Sequence, residues 1–145
     1  MEIKKIMVPY DGSESALNAM EYALYLREAL NATVDVVSVV PPKGIEAGVG
    51  ELAAYENALN DLAAGTEELL KEHLVTAFDT DILQKVNAQA VVDKATVEGI
   101  RRYVGENDVD LVIMGRRGVG ALRAVLGSVS TAVLRELDIP VLTVK

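Results

Sequence analysis

A glycine- and hydroxyl-rich stretch near the C-terminus contains the residues best suited to binding an anion. It reads Gly127-Ser128-Val129-Ser130-Thr131. If a helix begins here, its first backbone N–H groups lack partners within the helix and point toward an incoming phosphate. Gly127 lets the backbone approach closely, and the hydroxyl groups add donors. The alternative is an ordinary helix start with Ser128 as its N-cap residue.

A second glycine-rich segment, Gly115-Arg116-Arg117-Gly118, lies a short distance upstream. Its glycines permit a tight loop with exposed amide groups. Arg116 or Arg117 can add positive charge, and Arg123 follows in the same part of the chain. Together these residues favour a phosphate site over a simple helix cap.

Asp11 is the carboxylate that is most easily placed in a ligand site. It lies in the sequence Pro9-Tyr10-Asp11-Gly12-Ser13, directly after an apolar run that is typical of a strand. Acidic residues near the ends of such strands bind ribose hydroxyls in dinucleotide sites. Asp11 can equally cap the following helix or shape an Asx turn. The residue types leave both roles open.

Several catalytic and metal-binding motifs are excluded. The chain has no cysteine, and its single histidine, His73, excludes a multi-histidine metal site. It has no P-loop motif, and Arg123 stands where a dinucleotide fingerprint starting at Gly118 needs its third glycine. We interpret His73 as a surface or packing residue in mid-helix, away from the ligand site. A Ser-His-Asp catalytic set is therefore excluded as well.

The charge and hydropathy of the chain narrow the class of partner. A net charge of −8 at pH 7 disfavours nucleic acid and anionic membranes. The N-terminal residues are polar and do not resemble a signal peptide. No apolar run approaches the roughly 18 residues of a membrane-spanning helix. We therefore expect a cytoplasmic protein with a small-molecule ligand.

Strands and helices alternate along the sequence. The residue patterns predict strands at Lys5 to Pro9, Thr33 to Val40, Lys85 to Val92, Val109 to Met114 and Pro140 to Val144. They predict helices from Ser13 to Asn31, from Glu51 to His73 or past Phe78 with a break, from Val97 to Asn107, and from Ser128 to Glu136. Such alternation indicates one α/β domain over residues 1–145, with parallel strands joined by right-handed crossovers. Ligands of such sheets bind at the carboxyl ends of the strands.

The chain resembles the universal stress protein family, in its nucleotide-binding form, along nearly its whole length. The resemblance rests on residues 6–15 (IMVPYDGSES), 110–118 (DLVIMGRRG), 126–130 (LGSVS) and 139–144 (IPVLTV). It implies a Rossmann-like fold that binds adenine nucleotides. Its open, mostly parallel five-stranded sheet would have the order 3-2-1-4-5, with helices on both faces.

Two local departures from the family pattern are visible. Nucleotide-binding members carry G-x2-G-x9-G-[ST], and Gly115, Gly118, Gly127 and Ser128 match it in type. However, eight residues instead of nine separate Gly118 from Gly127. Many members also have Gly-x-Pro before the third helix, where this chain has Lys94-Ala95-Thr96. The second departure puts the contacts to the base in question.

The resemblance implies a role for each matching residue. Asp11 would hold the ribose, Pro9 would shape the end of the first strand, and Val39 would contact the adenine. Met114 and Gly115 would line the base and ribose side. The phosphates would be held by Gly118, Gly127, Ser128, Val129 and Ser130. Independently of the resemblance, the position of Arg117 between the glycines makes it a further candidate for binding the nucleotide through its charge. The implied ligand is ATP with Mg²⁺ on its phosphates, and the implied assembly is a homodimer through the last strand, Pro140 to Val144.

Three functions are compatible with these residues. The first is a regulatory, stress-response ATP-binding protein with slow hydrolysis at most, because no carboxylate besides Asp11 is well placed. The second is an ATPase or nucleotidyl-transfer enzyme that depends on Arg116, Arg117 or Asp11. The third is a non-nucleotide interaction module, which the shorter glycine spacing favours. A phosphoacceptor receiver domain is disfavoured, since no acidic pair follows the first strand.

Overall fold

The computed structural model describes residues 1–117 and 126–145. Strands and helices alternate as predicted, with one additional short helix. In chain order the elements are β1 (Lys5–Pro9), α1 (Glu14–Leu30), β2 (Thr33–Val40), α2 (Leu52–Ala77), α3 (Ile82–Lys85), β3 (Asn87–Val92), α4 (Thr96–Glu106), β4 (Leu111–Gly115), α5 (Ser128–Glu136) and β5 (Val141–Val144). The predicted bounds of β1, β2 and α5 are confirmed.

The five strands form one parallel sheet in the order β3-β2-β1-β4-β5, as the family resemblance implies. β1 lies at its centre, and Val36 of β2 stands opposite both Val8 of β1 and Ala88 of β3. The chain winds outward from β1 to β3 and then returns to β4 on the other side of β1. The strand order therefore reverses between β1 and β4, and ligands of open α/β sheets bind at that point.

Helices cover both faces of the sheet, which explains why its strands are apolar on both sides. α1 and α2 cover one face, where Ile6 packs with Met20 and Leu74. α4 and α5 cover the other face, where Met7 packs with Ile100. Among the described residues, no helix combines the length and the apolarity that crossing a membrane requires.

The predicted third strand begins too early. Residues Ile82–Lys85 form α3, and β3 begins only at Asn87. Ile82 is buried in the core, and the carboxylate of Asp79 accepts a hydrogen bond from the backbone N–H of Asp81 (2.9 Å) just before it. The turn stabilised by Asp79 and the short helix anchored by Ile82 therefore precede β3, and this helix includes Lys85, the first residue of the expected strand.

The fourth strand also begins later than predicted, at Leu111 rather than Val109. Asp110 accepts hydrogen bonds from the backbone N–H groups of Lys4 (2.8 Å) and Lys5 (2.9 Å) at the start of β1. The backbone N–H of Asp110 still donates to the carbonyl of Lys5 (2.9 Å), whereas the N–H of Lys5 is bound by the Asp110 side chain and not by a strand carbonyl. The other predicted bounds differ by one or two residues, apart from the end of α2, which lies at Ala77, past His73.

Candidate functional site

A cleft of about 710 Å³ opens at the carboxyl ends of the strands. It is bordered by the ends of β1, β2 and β4 and by the starts of α1, α4 and α5, with α2 along one side. Its volume is ordinary for a small-molecule or cofactor site. Its described lining residues are 9–13, 16, 37–40, 66, 69, 70, 73, 96, 114, 115, 117 and 127–130.

The cleft brings together the site residues that the sequence predicts, as far as the structure describes them. These are Pro9, Asp11, Val39, Met114, Gly115, Arg117, Gly127, Ser128, Val129 and Ser130. Gly118 and Arg123 lie outside the described residues. Of the two candidate arginines that are described, Arg117 lines the cleft and Arg116 does not. The Nε atom of Arg116 is instead buried without a hydrogen-bond partner among the described residues.

Asp11 lies at the beginning of the loop from β1 to α1. Its Oδ1 accepts a hydrogen bond from the backbone N–H of Ser13 (3.0 Å), which forms the Asx turn. The N-cap residue of α1 is Ser13, whose side chain accepts from the N–H of Ala16 (3.2 Å). The Asp11 side chain stays exposed and lines the cleft. The turn therefore orients a carboxylate that a ligand can still reach.

The start of α5 is an uncapped helix N-terminus. Gly127 is its N-cap residue, so the alternative that Ser128 caps the helix is wrong. The N–H of Thr131 makes the first bond of the helix, to the carbonyl of Gly127 (3.0 Å). The N–H groups of residues 128–130 come before it, and Gly127 has no side chain to accept from them. These backbone donors and the helix dipole suit an anion in the cleft.

The hydroxyl groups of Ser130 and Thr131, in the first turn of α5, already donate hydrogen bonds within the protein. Ser130 Oγ donates to the backbone carbonyl of Arg116 (2.8 Å) or Gly127 (3.0 Å). Thr131 Oγ1 donates to the carbonyl of Gly127 (2.9 Å). Each hydroxyl has one proton to donate. Within residues 1–117 and 126–145, the donors left for a ligand are therefore the backbone N–H groups and the exposed side chain of Ser128.

Gly115 allows α1 to approach the end of β4 closely. A Cβ atom at Gly115 would lie 2.8 Å from the carbonyl carbon of Ser15 and 2.9 Å from the nitrogen of Ala16. Ser15 Oγ also donates to the backbone carbonyl of Arg117. This close contact holds the loop that carries Asp11 beside the segment that carries Arg117.

The backbone of Val39 reaches the cleft because β2 is longer than β1. The last residue of β1, Pro9, pairs with Val37, and the N–H of Tyr10 donates to the carbonyl of Val37 (2.9 Å). Alternate residues of a strand direct their polar groups to the same side, so the N–H and C=O of Val39 also face the β1 side. β1 has ended there, and the carbonyl of Tyr10 accepts from Ser38 Oγ (3.0 Å). Val39 can therefore offer one donor and one acceptor to a ligand.

His73 lines the cleft, which corrects the interpretation that it lies away from the ligand edge. Its Nδ1 is 3.0 Å from the hydroxyl of Tyr10, and the two ring centroids are 5.5 Å apart. Burial, with a smaller contribution from the charge of Asp11, raises the pKa of Tyr10 to about 12. Thr66, Leu69 and Leu70 join His73 on the same wall. Their spacing of three to four residues marks one helix face, a signal that the sequence already contained.

The lining carries few charges. Asp11 is the one carboxylate and Arg117 the one permanent cation among the described residues that line the cleft. The described part of the chain contains no group of three or more acidic or histidine side chains able to hold a metal ion.

Comparisons with known proteins agree with this architecture. The model of the universal stress protein family matches residues 2–145. A universal stress protein of Methanocaldococcus jannaschii is 30% identical over 154 residues, which cover 98% of this chain and 82% of the relative. One from Thermus aquaticus is 33% identical over 147 residues and 98% of both chains.

Solved structures show the same fold. UspA from Lactobacillus plantarum superposes with a TM-score of 0.70 at 17% identity, over 100% of this chain and 99% of that one. A universal stress protein in complex with cAMP gives 0.62 at 24% identity, over 99% and 98%. One from Archaeoglobus fulgidus in complex with dAMP gives 0.57 at 17% identity, over 100% of both chains. The chain belongs to the universal stress protein family.

Proposed function

We propose that this chain is a regulatory stress-response protein that binds ATP in the cleft. The observation that carries the proposal is the uncapped start of α5, which shares the cleft with Arg117 and Asp11. Backbone donors and an arginine at one end suit phosphate groups, whereas the exposed carboxylate suits ribose hydroxyls. Mg²⁺ would be bound through the phosphate oxygens of the nucleotide.

The proposed base site lies at the end of β2. The N–H and C=O of Val39 match the ring-nitrogen acceptor and the exocyclic amino donor on one edge of adenine. Met114 and Thr96 line the same cleft. Thr96 is the last residue of Lys94-Ala95-Thr96, the stretch that departs from the family pattern, so it is the residue at which the base contacts of this chain would differ. The two relatives in complex with cAMP and dAMP support an adenine nucleotide as the ligand class.

The lining favours binding over rapid turnover. Asp11 is already engaged in the Asx turn with Ser13 and is the one carboxylate of the described lining. Efficient phosphoryl transfer needs a group that orients the nucleophile and metal ligands for the phosphates. We therefore propose slow hydrolysis at most, with a weak ATPase as the alternative enzymatic role.

A non-nucleotide interaction module is the second candidate. It is favoured by the eight residues, instead of nine, between Gly118 and Gly127. In either case we propose a homodimer through β5, which lies at an edge of the sheet and exposes Leu142. A bare apolar edge strand can pair with another chain, and natural proteins rarely leave such an edge exposed. Light scattering on the purified chain gives the subunit number directly.

The phosphate site can be tested with two substitutions at Ser128, the first residue of α5. Ser128→Pro removes one backbone N–H, and proline is well tolerated at the first position of a helix. Gly127 has φ −62° and ψ 156°, a conformation that is compatible with a following proline. Ser128→Ala keeps the N–H and removes the hydroxyl, so it is the matched control.

Thermal unfolding with and without ATP and Mg²⁺ reports binding, because a ligand of the native state raises the Tm. The proposal predicts a large ATP-dependent rise in Tm for the wild type, a somewhat smaller rise for Ser128→Ala, which loses only the hydroxyl donor, and the smallest rise for Ser128→Pro, which loses the hydroxyl and the backbone N–H. Both variants should unfold at nearly the wild-type temperature without ATP. An equal rise for Ser128→Pro would contradict a phosphate site at α5.

A further inference from the structure

A side-chain pair on the α2 side of the cleft takes no part in the nucleotide contacts proposed above. His73 lines the cleft, and its Nδ1 lies 3.0 Å from the hydroxyl of Tyr10. Its ring also lies against the loop after β1, since a Cβ atom at Gly12 would be 3.3 Å from His73 Cε1. Asp11 directly precedes Gly12. The imidazole therefore stands beside the loop that carries the proposed ribose ligand.

The hydrogen bond between Tyr10 and His73 can form in either charge state of the imidazole. When the neutral ring carries its proton on Nε2, the phenol O–H donates to Nδ1; when the ring is protonated, Nδ1–H donates to the phenol oxygen. The phenol itself stays protonated at neutral pH, because its pKa is raised to about 12. In this tautomer and in the imidazolium, Nε2 carries a proton. The ring can thus gain a positive charge without losing its partner, while Nε2 remains a donor.

Protonation of His73 would change the charge balance of the cleft. The other titratable or charged side chains of the described lining are Tyr10, Asp11 and Arg117. On α2 itself, Lys71 is paired with Glu67 (2.7 Å), and neither residue lines the cleft. Asp11 and Arg117 balance one another, so an imidazolium would make the described lining positive. Histidine is the side chain that ordinarily changes charge within the physiological pH range.

We propose that His73 is a ligand-contacting residue, held by Tyr10, whose protonation strengthens the binding of the anionic nucleotide. The inference rests on the proposed nucleotide function and adds a regulation to it. Nε2–H would donate to an oxygen of the sugar-phosphate part of the ligand. The cleft would then retain nucleotide more tightly as the pH falls from 8 to 6.

The test is calorimetric titration of the full chain with ATP and with adenosine at pH 6 and pH 8. His73→Asn removes the titrating group, and His73→Lys keeps a cation at both pH values. Lys71→Gln is the matched control, because it removes a cation from the same helix outside the cleft. The phosphates of ATP titrate identically in every experiment. The change in ATP affinity between pH 6 and pH 8 is therefore compared between each variant and the wild type.

We expect wild-type affinity for ATP to fall about fivefold to tenfold more than that of His73→Asn between pH 6 and pH 8, the scale of one charge-assisted contact. The ATP affinity of Lys71→Gln should change with pH as that of the wild type does. His73→Lys should bind ATP as tightly at pH 8 as the titration of the ATP phosphates allows, without the additional loss seen in the wild type. The affinity for adenosine should change equally little in the wild type and in His73→Asn. Parallel ATP profiles for the wild type and His73→Asn would overturn this inference and leave nucleotide binding intact. If the folded wild type binds no ATP at either pH, both the inference and the proposed function are overturned.

Discussion

Two glycines of the cleft, Gly115 and Gly127, differ in what their missing side chains allow. Gly115 leaves room for the backbone of Ser15, which would be 2.8 Å from a Cβ atom. Gly127 has an extended conformation that any residue can adopt, and a Cβ atom there would meet the carbonyl oxygen of Arg116 at 3.3 Å. A side chain at Gly127 would therefore crowd the carbonyl of Arg116, which accepts the hydrogen bond from the N–H of Gly127 at the start of α5. The sequence pattern predicted that both glycines belong to the ligand site. It could not predict these distances, because they involve parts of the chain that come together only in the folded protein.

Gly115→Ala should lower the free energy of unfolding. The neighbouring atoms at 2.8 and 2.9 Å belong to the backbone of α1 and cannot rotate away. We expect a loss of about 1–3 kcal/mol, typical of overpacking, measured by urea denaturation. Gly65→Ala in α2 is the control, because a Cβ atom there meets nothing within 4 Å. It should be stabilising by about 0.5–1 kcal/mol, and equal effects of the two substitutions would contradict the packing role of Gly115.

Asp11→Asn separates the two roles of Asp11. The amide oxygen can still accept from the N–H of Ser13, so the Asx turn should survive. The charge that favours hydrogen bonds from ribose hydroxyls is lost. We expect ATP binding to weaken by about 1–2 kcal/mol, and binding of a 2′,3′-dideoxy analogue to weaken much less. If both nucleotides lose the same affinity in calorimetric titration, Asp11 does not bind the ribose.

The position of His73 in the cleft could not be predicted from residue types alone. A single histidine in a helix, far in sequence from Asp11 and the glycine segments, carries no motif that places it in the site. The helical face formed by Thr66, Leu70 and His73 was visible, but not which edge of the sheet it would border. That position depends on the length of α2, whose end was predicted ambiguously.

At the scale of the elements, a buried polar cluster joins α4 to the sheet. Tyr103 donates its O–H to Asp35 Oδ2 (3.0 Å), and the side-chain amide of Asn87 donates to Asp35 Oδ1 (2.9 Å). Asp35 is only 3% exposed. Burial, followed by the charge of Asp35 and the hydrogen bond to it, raises the pKa of Tyr103 well above its usual value. The cluster thereby fixes the helix whose first residue, Thr96, borders the cleft.

Tyr103→Phe should destabilise the protein, because it removes one of the hydrogen bonds to a buried carboxylate. The expected cost is about 1–3 kcal/mol, measured by urea denaturation at pH 7. Tyr25→Phe is the control, since Tyr25 lies on α1 with 72% of its surface exposed. An unchanged midpoint for Tyr103→Phe would mean that the cluster contributes no net stability.

The elements themselves were largely predictable because local patterns determine them. The β-branched run of β2 and the Ser13 start and Asn31 end of α1 were identified correctly. The starts of β3 and β4 were wrong because Ile82 and Asp110 make contacts with distant parts of the chain. Local periodicity contains no information about such contacts.

At the scale of the whole molecule, acid should weaken the fold through Asp110. Hydrogen bonds from the backbone N–H groups of Lys4 and Lys5 lower the pKa of Asp110. The unfolded chain therefore takes up a proton at a higher pH than the folded chain. The resulting stability is fully present above the unfolded pKa of about 4 and is lost as the pH falls through the lower folded value.

Asp110→Asn should reduce the dependence of the free energy of unfolding on pH below the unfolded pKa of about 4. Urea denaturation of the wild type and the variant at pH 6 and pH 3 should give a difference that is largest at pH 6, on the order of 1 kcal/mol for this partly exposed group. Asp108→Asn is the control, because Asp108 is an exposed neighbour. A constant difference between wild type and Asp110→Asn at both pH values would contradict the assigned linkage.

The overall architecture followed from the alternation of strands and helices together with the family resemblance. The strand order places the ends of β1 and β4 side by side, and that arrangement brings Asp11 and the start of α5 into one cleft although more than a hundred residues separate them. The geometry of the glycine segment could not be predicted, and Gly118 lies outside the described residues.

The most direct test of the central claim is calorimetric titration of the purified, nucleotide-stripped chain with ATP and Mg²⁺ at pH 7. A denaturing extract of the unstripped protein shows whether adenine nucleotide is retained through purification. We predict one ATP per chain with micromolar or tighter affinity, a binding free energy of about −8 kcal/mol or more favourable. A folded chain that gives no binding heat, and whose extract contains no nucleotide, would contradict the nucleotide-binding account.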